Sequence, residues 1–390
     1  MMFREPVGIV HPRRLAVGKL AGALAGLEAY QLLGHLFREV VRGAGDGSIG
    51  EVIAGNVRNS IGNVTRVSAL EAGIPVEIPA MTVDRQCASG LEALVVATAK
   101  INASLAETVL VGGVESASRC PWFMEKTSRA WSYAEPRPYP IRMSTPEIGD
   151  PPMGETAEIL ADEFGVTREE MDEFAAESHR RAAEANEAGR FSEEIVPLEI
   201  PQRKGEPYRH VTDETVRADT TVDALKKLPP VFRKEGRVTA GNSSPLTDGA
   251  AATLVLSKAA IEKSGTAPDA WLRGSSVIGL DPSRMGLGPV EAIRRLLDSA
   301  DLNQDDIDLW EINEAFAAQI LAVNRELRIP SEKLNVNGGA IALGHPLGAS
   351  GMRLVVTMVH LLKQRGLRRG VVSLCVGGGQ GVAALIETSI

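Results

Sequence analysis

Two segments of the chain repeat one another. Cys87-Ala88-Ser89-Gly90-Leu91 opens an apolar helical run through Leu94, Val95 and Ile101. Gly348-Ala349-Ser350-Gly351-Met352 opens another through Leu354, Val355, Val359 and Leu362. Downstream of the first lies Val109-Leu110-Val111-Gly112-Gly113, and downstream of the second Leu374-Cys375-Val376-Gly377-Gly378. The same two motifs, in the same order and at similar separations, indicate an internal duplication. The β–α alternation around them predicts two similar halves, each a mostly parallel sheet covered by helices. A duplicated α/β unit also brings strand ends to a shared cleft, where ligands tend to bind.

Composition separates the repeats. Residues 119–245 are about a third of the chain, yet hold 13 of its 22 prolines, 10 of its 16 aromatics and only 7 of its 39 glycines. They read as an inserted, loop-rich subdomain opened by Pro136, Pro138, Pro140, Pro151 and Pro152. It carries one clear helix. Thr167-Arg168-Glu169-Glu170 is a capping box, Met171, Phe174 and Ala175 follow at helical spacing, and Gly189 stops the run. The expected domains are 1–118 with 246–267, the insert 119–245, and 268–390.

Several function classes drop out. With 42 Lys+Arg against 50 Asp+Glu the net charge is −8, without the concentrated positive face that nucleic-acid phosphates require. The longest uncharged apolar stretch, Val371 to Ile386, is interrupted by Gly377-Gly378-Gly379 and is too short to span a bilayer. The N-terminus lacks the apolar core of a secretory signal, and the C-terminus, Glu387-Thr388-Ser389-Ile390, is not the Ser-Lys-Leu peroxisomal address. Cys87, Cys120 and Cys375 are too few and too scattered for a disulfide framework or a metal knuckle. A reducing cytoplasm and no bound metal are the expectations.

Four residues could carry chemistry. Cys87 stands between the β-prone segment Ile74–Val83 and a helix start, where backbone N–H groups and the helix dipole favour a thiolate; the alternative is a small core residue. His345 lies on a loop, between Gly344 and Pro346, in a stretch from Asn337 to Gly351 that holds no charged residue. A buried imidazole there could take a thiol proton near neutral pH. Cys375 leads into a glycine loop after Val371-Val372-Ser373-Leu374, whose N–H groups could hold an anion. That loop lacks the Lys-Ser/Thr of a P-loop and the GxGxxG of a dinucleotide fold. Asn313 follows the β-like Ile307–Ile312 and could cap the next helix or position a donor in an oxyanion site.

Taken together, Val83-Asp84-Arg85-Gln86-Cys87-Ala88-Ser89-Gly90, Thr239-Ala240-Gly241-Asn242-Ser243-Ser244, Asn313-Glu314-Ala315-Phe316, Gly344-His345-Pro346 and Cys375-Val376-Gly377-Gly378-Gly379 resemble the thiolase family. Gly112-Gly113-Val114-Glu115-Ser116 and Met153-Gly154-Glu155-Thr156-Ala157-Glu158 belong to the same pattern, and the motifs occur in family order over nearly the whole chain. The resemblance implies a five-layered αβαβα fold of two similar halves with a loop domain inserted in the first. It also implies a homodimer or homotetramer.

The activity implied is reversible cleavage of 3-ketoacyl-CoA by CoA, in fatty-acid metabolism, with CoA a substrate and no separate cofactor. The family pattern makes Cys87 the nucleophile, His345 its base and Cys375 the acid/base toward carbon. It assigns one oxyanion to His345 with a water held by Asn313, and the other to the N–H groups of Cys87 and Gly377. Arg217, Phe232 and Ser244 would contact CoA, with Met153 near the thioester, and Ala315 and Phe316 would join them in binding substrate or CoA.

Departures from the pattern are Asp84, where the family has Asn, and Arg14-Leu15-Ala16, where it has Arg-Thr-Pro. A carboxylate aimed at Cys87 would oppose its thiolate; one capping the turn would not. Pro152 before Met153, where short-chain biosynthetic members carry His, favours a broader 3-ketoacyl-CoA thiolase. The alternatives are a short-chain enzyme making acetoacetyl-CoA and a catalytically silent CoA-binding scaffold. Cys375 argues against a decarboxylating ketoacyl synthase.

Overall fold

The computed structural model describes residues 1–44, 48–59, 61–126, 137–139 and 141–388. Pro136 and Pro140, read as part of the insert's opening, lie outside the described residues. The strands are β1 (Met2–Arg14), β2 (Gly18–Lys19), β3 (Glu51–Gly55), β4 (Ala80–Val83), β5 (Thr108–Ser116) and, in the insert, β6 (Leu198–Ile200) and β7 (Tyr208–His210). After the insert come β8 (Thr247–Leu256), β9 (Ala270–Gly279), β10 (Leu309–Ile312), β11 (Arg369–Val376) and β12 (Gln380–Glu387). Helices α1 (Ala29–Ala44), α2 (Val64–Glu71) and α3 (Ser89–Asn102) precede the insert, which holds α4 (Met153–Glu163), α5 (Arg168–Glu187) and α6 (Val222–Leu225). The remainder are α7 (Lys258–Ser264), α8 (Gly288–Ala300), α9 (Ala317–Leu327), α10 (Ala340–Leu343) and α11 (Leu347–Arg365).

The duplication is visible in the sheet. One continuous path runs β10-β11-β12-β9-β1-β8-β5-β3-β4, with β2 beside β8 and β6-β7 separate. Outward from β1, the pairs β1·β8 and β8·β5 are antiparallel and β5·β3 is parallel. Outward from β9, β9·β12 and β12·β11 are antiparallel and β11·β10 is parallel. The two halves therefore repeat one pattern and join through the antiparallel pair β1·β9.

In each half a single strand, β8 or β12, runs against the rest, so the sheets are mixed while their other strands are parallel to one another. The reason lies in the glycine loops. Gly377–Gly379 turns β11 straight back into β12, and a direct reversal makes antiparallel neighbours. In the first half, the insert occupies the corresponding connection, between β5 and β8. A correction concerns Ile74–Val83, of which only Ala80–Val83 is strand.

Five layers follow from where each apolar face is buried. Alternate residues of one strand serve opposite faces. Ile53, Val109 and Val111 point into a central cluster with Leu91 and Leu94 of α3 and Val355 and Val359 of α11. Val52, Ala54 and Leu110 face outward onto Leu33, Phe37 and Val40 of α1 and Val64 and Ala69 of α2. In the second half Trp310, Ile312 and Val371 face Ile293 and Leu296 of α8 and Ile320 and Val323 of α9. The order is α1/α2, sheet, α3/α11, sheet, α8/α9. Buried polar residues occur where the chain crosses layers: Arg14, at the end of β1, pairs with Glu194 (2.6 Å) and Asp213 (2.7 Å) of the insert.

The two Ala-Ser-Gly repeats meet at the middle layer. A Cβ on Gly90 would stand 2.8 Å from the Gly348 carbonyl oxygen and 3.0 Å from the Met352 nitrogen. One on Gly351 would stand 2.6 Å from the Leu91 nitrogen. Glycine at these positions lets the starts of α3 and α11 touch backbone to backbone, so the residues just ahead of both helices reach one place. The predicted helix of the insert is α5, with its capping box formed by Thr167 and Glu170 and with Gly189 at φ 66° just beyond it. Among the described residues no helix is long and apolar enough to cross a membrane.

Candidate active site

The ends of β4 and β11 and the loops ahead of α3, α9 and α11 converge on one cavity of about 310 Å³. Its wall includes Cys87, His345, Cys375, Gly377, Ser244, Met153, Phe232, Ala315 and Phe316. Nine of the eleven sequence-predicted site residues are therefore brought together. Asn313 stands just behind the wall, fully buried, with its Nδ2 3.5 Å from His345 Nε2. Arg217 lines an adjoining groove with Lys19 and His179, which meets the cavity at Ser243 and Leu246.

Cys87 is held at a tight elbow. Gln86 before it adopts φ 46°, in the left-handed region that a residue with a Cβ seldom enters. Ser89 secures the turn: its Oγ accepts from the Arg85 N–H (2.9 Å) and donates to the Gln86 carbonyl (2.7 Å). Asp84 is exposed and accepts from the Gln86 N–H (2.7 Å). Its carboxylate thus closes the turn rather than facing the thiol, which is the benign of the two readings.

The same serine of the second repeat holds His345. Ser350 Oγ donates to the Pro346 carbonyl (2.9 Å), so toward His345 Nδ1, at 2.7 Å, it can only accept. The Nδ1 therefore carries the hydrogen and Nε2 presents its lone pair, with the Asn313 amide beside it. Duplicated serines thus fix the two reactive loops by the same device. The hold of Ser350 on His345 was not drawn from the sequence, although the repeat itself was the available signal.

Burial dominates the electrostatics. It pushes the Cys87 thiol up to about 11, against the pull of the Gly377 and Cys87 backbone N–H groups. It presses the His345 imidazole down to about 3, helped by the buried Arg353 guanidinium. Cys375, at 1% exposure on β11, is raised further, first by burial and then by Cys87. The backbone N–H groups do lower the Cys87 pKa as expected, but desolvation in an apolar cavity outweighs them, and the net shift is upward. The backbone N–H groups of Cys87 and Gly377 nevertheless aim at the sulfur, where an oxyanion on an attacked carbonyl would form.

Asn313 does not cap a helix. The N-cap of α9 is Phe316, three residues on, and the Asn313 N–H donates instead to Ser373 O (2.9 Å). The insert closes the cavity from one side. Ser244 donates from both N–H and Oγ to the Ala315 carbonyl (3.0 and 2.9 Å), and the His345 N–H donates to Pro245 O (3.0 Å). The Phe232 ring sits edge-on to Phe316 at 6.3 Å and against Gly154 of α4. Of the insert's other cations, Arg233 is tied to Glu155 and Asp162, and Lys226 to Glu169. Arg217 is exposed, with its N–H donated to His179 Nδ1 (3.2 Å). Among the described residues no group of His, Cys, Asp and Glu is arranged to hold a metal ion.

Further lining residues escaped the sequence reading: Arg58, Met143, Leu246, Met285 and Leu347. They arrive from distant loops, and nothing in their local sequence marks them.

Comparison with known proteins agrees with this arrangement. The thiolase N-terminal domain pattern matches residues 7–259 and the thiolase C-terminal domain pattern residues 266–388. An acetyl-CoA acetyltransferase of Pseudomonas aeruginosa is 47% identical over 97% of this chain and 98% of its own. The crystal structure of the Bacillus anthracis acetyl-CoA acetyltransferase superposes with TM-score 0.93 at 40% identity, covering 99% of this chain and 100% of that one. Human mitochondrial 3-ketoacyl-CoA thiolase in complex with CoA superposes with TM-score 0.93 at 38% identity, covering 100% and 99%. With both patterns matched across the two repeats, and two cysteines and an imidazole gathered where those repeats meet, this chain belongs to the thiolase family.

Proposed function

We propose that the chain is an acetyl-CoA C-acyltransferase that cleaves 3-ketoacyl-CoA with CoA, and runs the reverse condensation, through an acyl-Cys87 intermediate. The observation that carries the reading is the presence of two thiols and an imidazole in one cavity with a primarily apolar wall. His345 Nε2 accepts the Cys87 proton as sulfur attacks the 3-keto carbon. A neutral imidazole and a neutral thiol at rest suit a proton that moves with the attack, not before it. The N–H groups of Cys87 and Gly377 meet the tetrahedral oxyanion, and losing such a donor typically costs ~3–4 kcal/mol of barrier.

Cleavage of the carbon–carbon bond leaves acyl-Cys87 and the enolate of acetyl-CoA. Protonated His345 Nε2 and a water held by Asn313 donate to the enolate oxygen, while Cys375 delivers its proton to carbon. Cys375 then takes the proton of the incoming CoA thiol, whose sulfur attacks acyl-Cys87; the Cys87 thiolate leaves and recovers its proton from His345, and the shortened acyl-CoA is released. Covalent catalysis divides one difficult displacement into two easier ones. The CoA arm enters by the groove that carries Arg217 and Lys19, whose cations suit its phosphates. CoA is the substrate, and no separate cofactor takes part. We further place the enzyme in cytoplasmic fatty-acid metabolism as a homodimer or homotetramer.

The test is direct. Incubation with acetyl-CoA adds one acetyl group, seen by intact-mass spectrometry, and Cys87→Ala abolishes it. Absence of labelling in the wild type would favour a silent CoA-binding scaffold. The names of relatives favour a second reading, a short-chain acetyl-CoA acetyltransferase. Pro152 supports the broader enzyme, and thiolysis of a C8 3-ketoacyl-CoA beside acetoacetyl-CoA separates the two.

A further inference from the structure

Among the described residues that line the catalytic cavity, Arg58 alone carries a formal charge. It rises from the loop after β3, and that loop is held in place. The Arg58 N–H donates to Glu115 Oε1 (3.0 Å), the Val57 N–H to Oε2 (3.3 Å) and Asn56 Nδ2 to Oε1 (3.3 Å). Glu115 is itself buried and also accepts from the Gly348 N–H (2.9 Å), at the start of α11. The half-buried guanidinium is not hydrogen-bonded to Glu115; its side-chain contact is with the Cys120 thiol. Its Nε is buried with no hydrogen-bond partner, and Arg58 forms no ion pair among the described residues. Its charge reaches the reaction centre: burial raises Cys87 and Glu115, and Arg58 opposes both shifts.

Position decides what Arg58 would meet. The groove with Arg217 and Lys19 joins the cavity at Ser243 and Leu246, and Arg58 is not part of it. A 3-ketoacyl-CoA that enters by that groove and presents its 3-keto carbon to Cys87 sends the acyl chain beyond that carbon into the rest of the cavity. There, besides the reacting groups, the polar side chains among the described residues are Arg58, Gln86 and Ser244, of which only Arg58 is charged. A methyl-ended tail packed against the half-buried Arg58 side chain strips water from it and supplies no partner in return, which is costly. A carboxylate can accept from two of its N–H groups at once.

We propose that Arg58, with Gln86 beside it, selects 3-ketoacyl-CoA substrates whose acyl chain ends in a carboxylate. The inference rests on the thiolase reading above and adds the class of acyl group. It is tested by thiolysis of 3-oxoadipyl-CoA against 3-oxohexanoyl-CoA, six-carbon acyl chains that differ only in a terminal carboxylate or methyl. The wild type is expected to show a kcat/KM roughly tenfold or more higher for the carboxylate, the weight of one charge-assisted hydrogen bond. Arg58→Leu should bring that ratio to one or below, and Arg58→Lys should retain part of it.

The wild-type ratio needs no variant to fold. Equal or better cleavage of 3-oxohexanoyl-CoA by the wild type overturns the proposal while leaving the thiolase reading intact. A wild-type preference that survives Arg58→Leu overturns the assignment to Arg58. Cleavage of neither substrate, with no acetyl group on Cys87, overturns both readings.

Discussion

Ser350→Ala isolates the orientation of the proposed base from the base itself. Ser350 is fully buried, and its hydroxyl is the acceptor that fixes the hydrogen on His345 Nδ1. Removing it leaves that N–H unpaired in a dry site, at a cost of about 1–3 kcal/mol. The imidazole can avoid the cost by moving its hydrogen to Nε2, but the side facing the cavity then has no lone pair to accept the Cys87 proton. Either way the barrier to acylation rises by about the same amount, which is roughly a 5- to 150-fold loss of rate. The loss should fall on kcat, with KM little changed, because Ser350 does not line the cavity.

Stopped-flow thiolysis of acetoacetyl-CoA gives the rate, and quenched intact-mass spectrometry with acetyl-CoA gives the rate of Cys87 acylation. Both should fall together. Thermal unfolding of the same sample separates this from loss of fold. A variant within about twofold of wild type in kcat would refute the tautomer argument.

Two further outcomes follow from the site and the middle layer. With Cys87 raised to about 11, the thiolate fraction grows with pH across the neutral range, so iodoacetamide alkylation of Cys87, read by peptide mass, should climb about tenfold per unit from pH 6 to 9; a plateau with a midpoint near 6 would mean a stabilised thiolate after all. Gly90→Ala places a Cβ against the Gly348 carbonyl and the Met352 backbone, which cannot swing aside as a side chain can, so denaturant unfolding should show a loss of about 1–3 kcal/mol and unchanged stability would refute the close crossing of α3 and α11.

Much of the site was legible because its residues sit in glycine-rich local motifs. Cys87, His345 and Cys375 each stand beside small residues that only a backbone-lined site requires, and all three line one cavity. The duplication was equally legible, since it repeats short strings in order. The reversal of β12 was not. Whether β11 passes to its neighbour by a crossover or a direct reversal depends on the turn at Gly377–Gly379, which the β–α alternation alone does not reveal. The pKa of Cys87 was misjudged for a related reason: a helix start is a local feature, but desolvation is imposed by every wall of the cavity.

The order of residues alone determined the reactive groups, the two repeated units, the compositional insert and the capped helix α5, because each depends on neighbours within a few positions. Tertiary structure decided what those groups are. Contact between the starts of α3 and α11 put the two reactive loops in one place, and Ser350 chose the tautomer of His345. The insert closed the wall through Ser244 and Pro245, and the loop after β3 delivered Arg58. These are properties of dielectric and distance, which exist only once segments hundreds of residues apart have packed together.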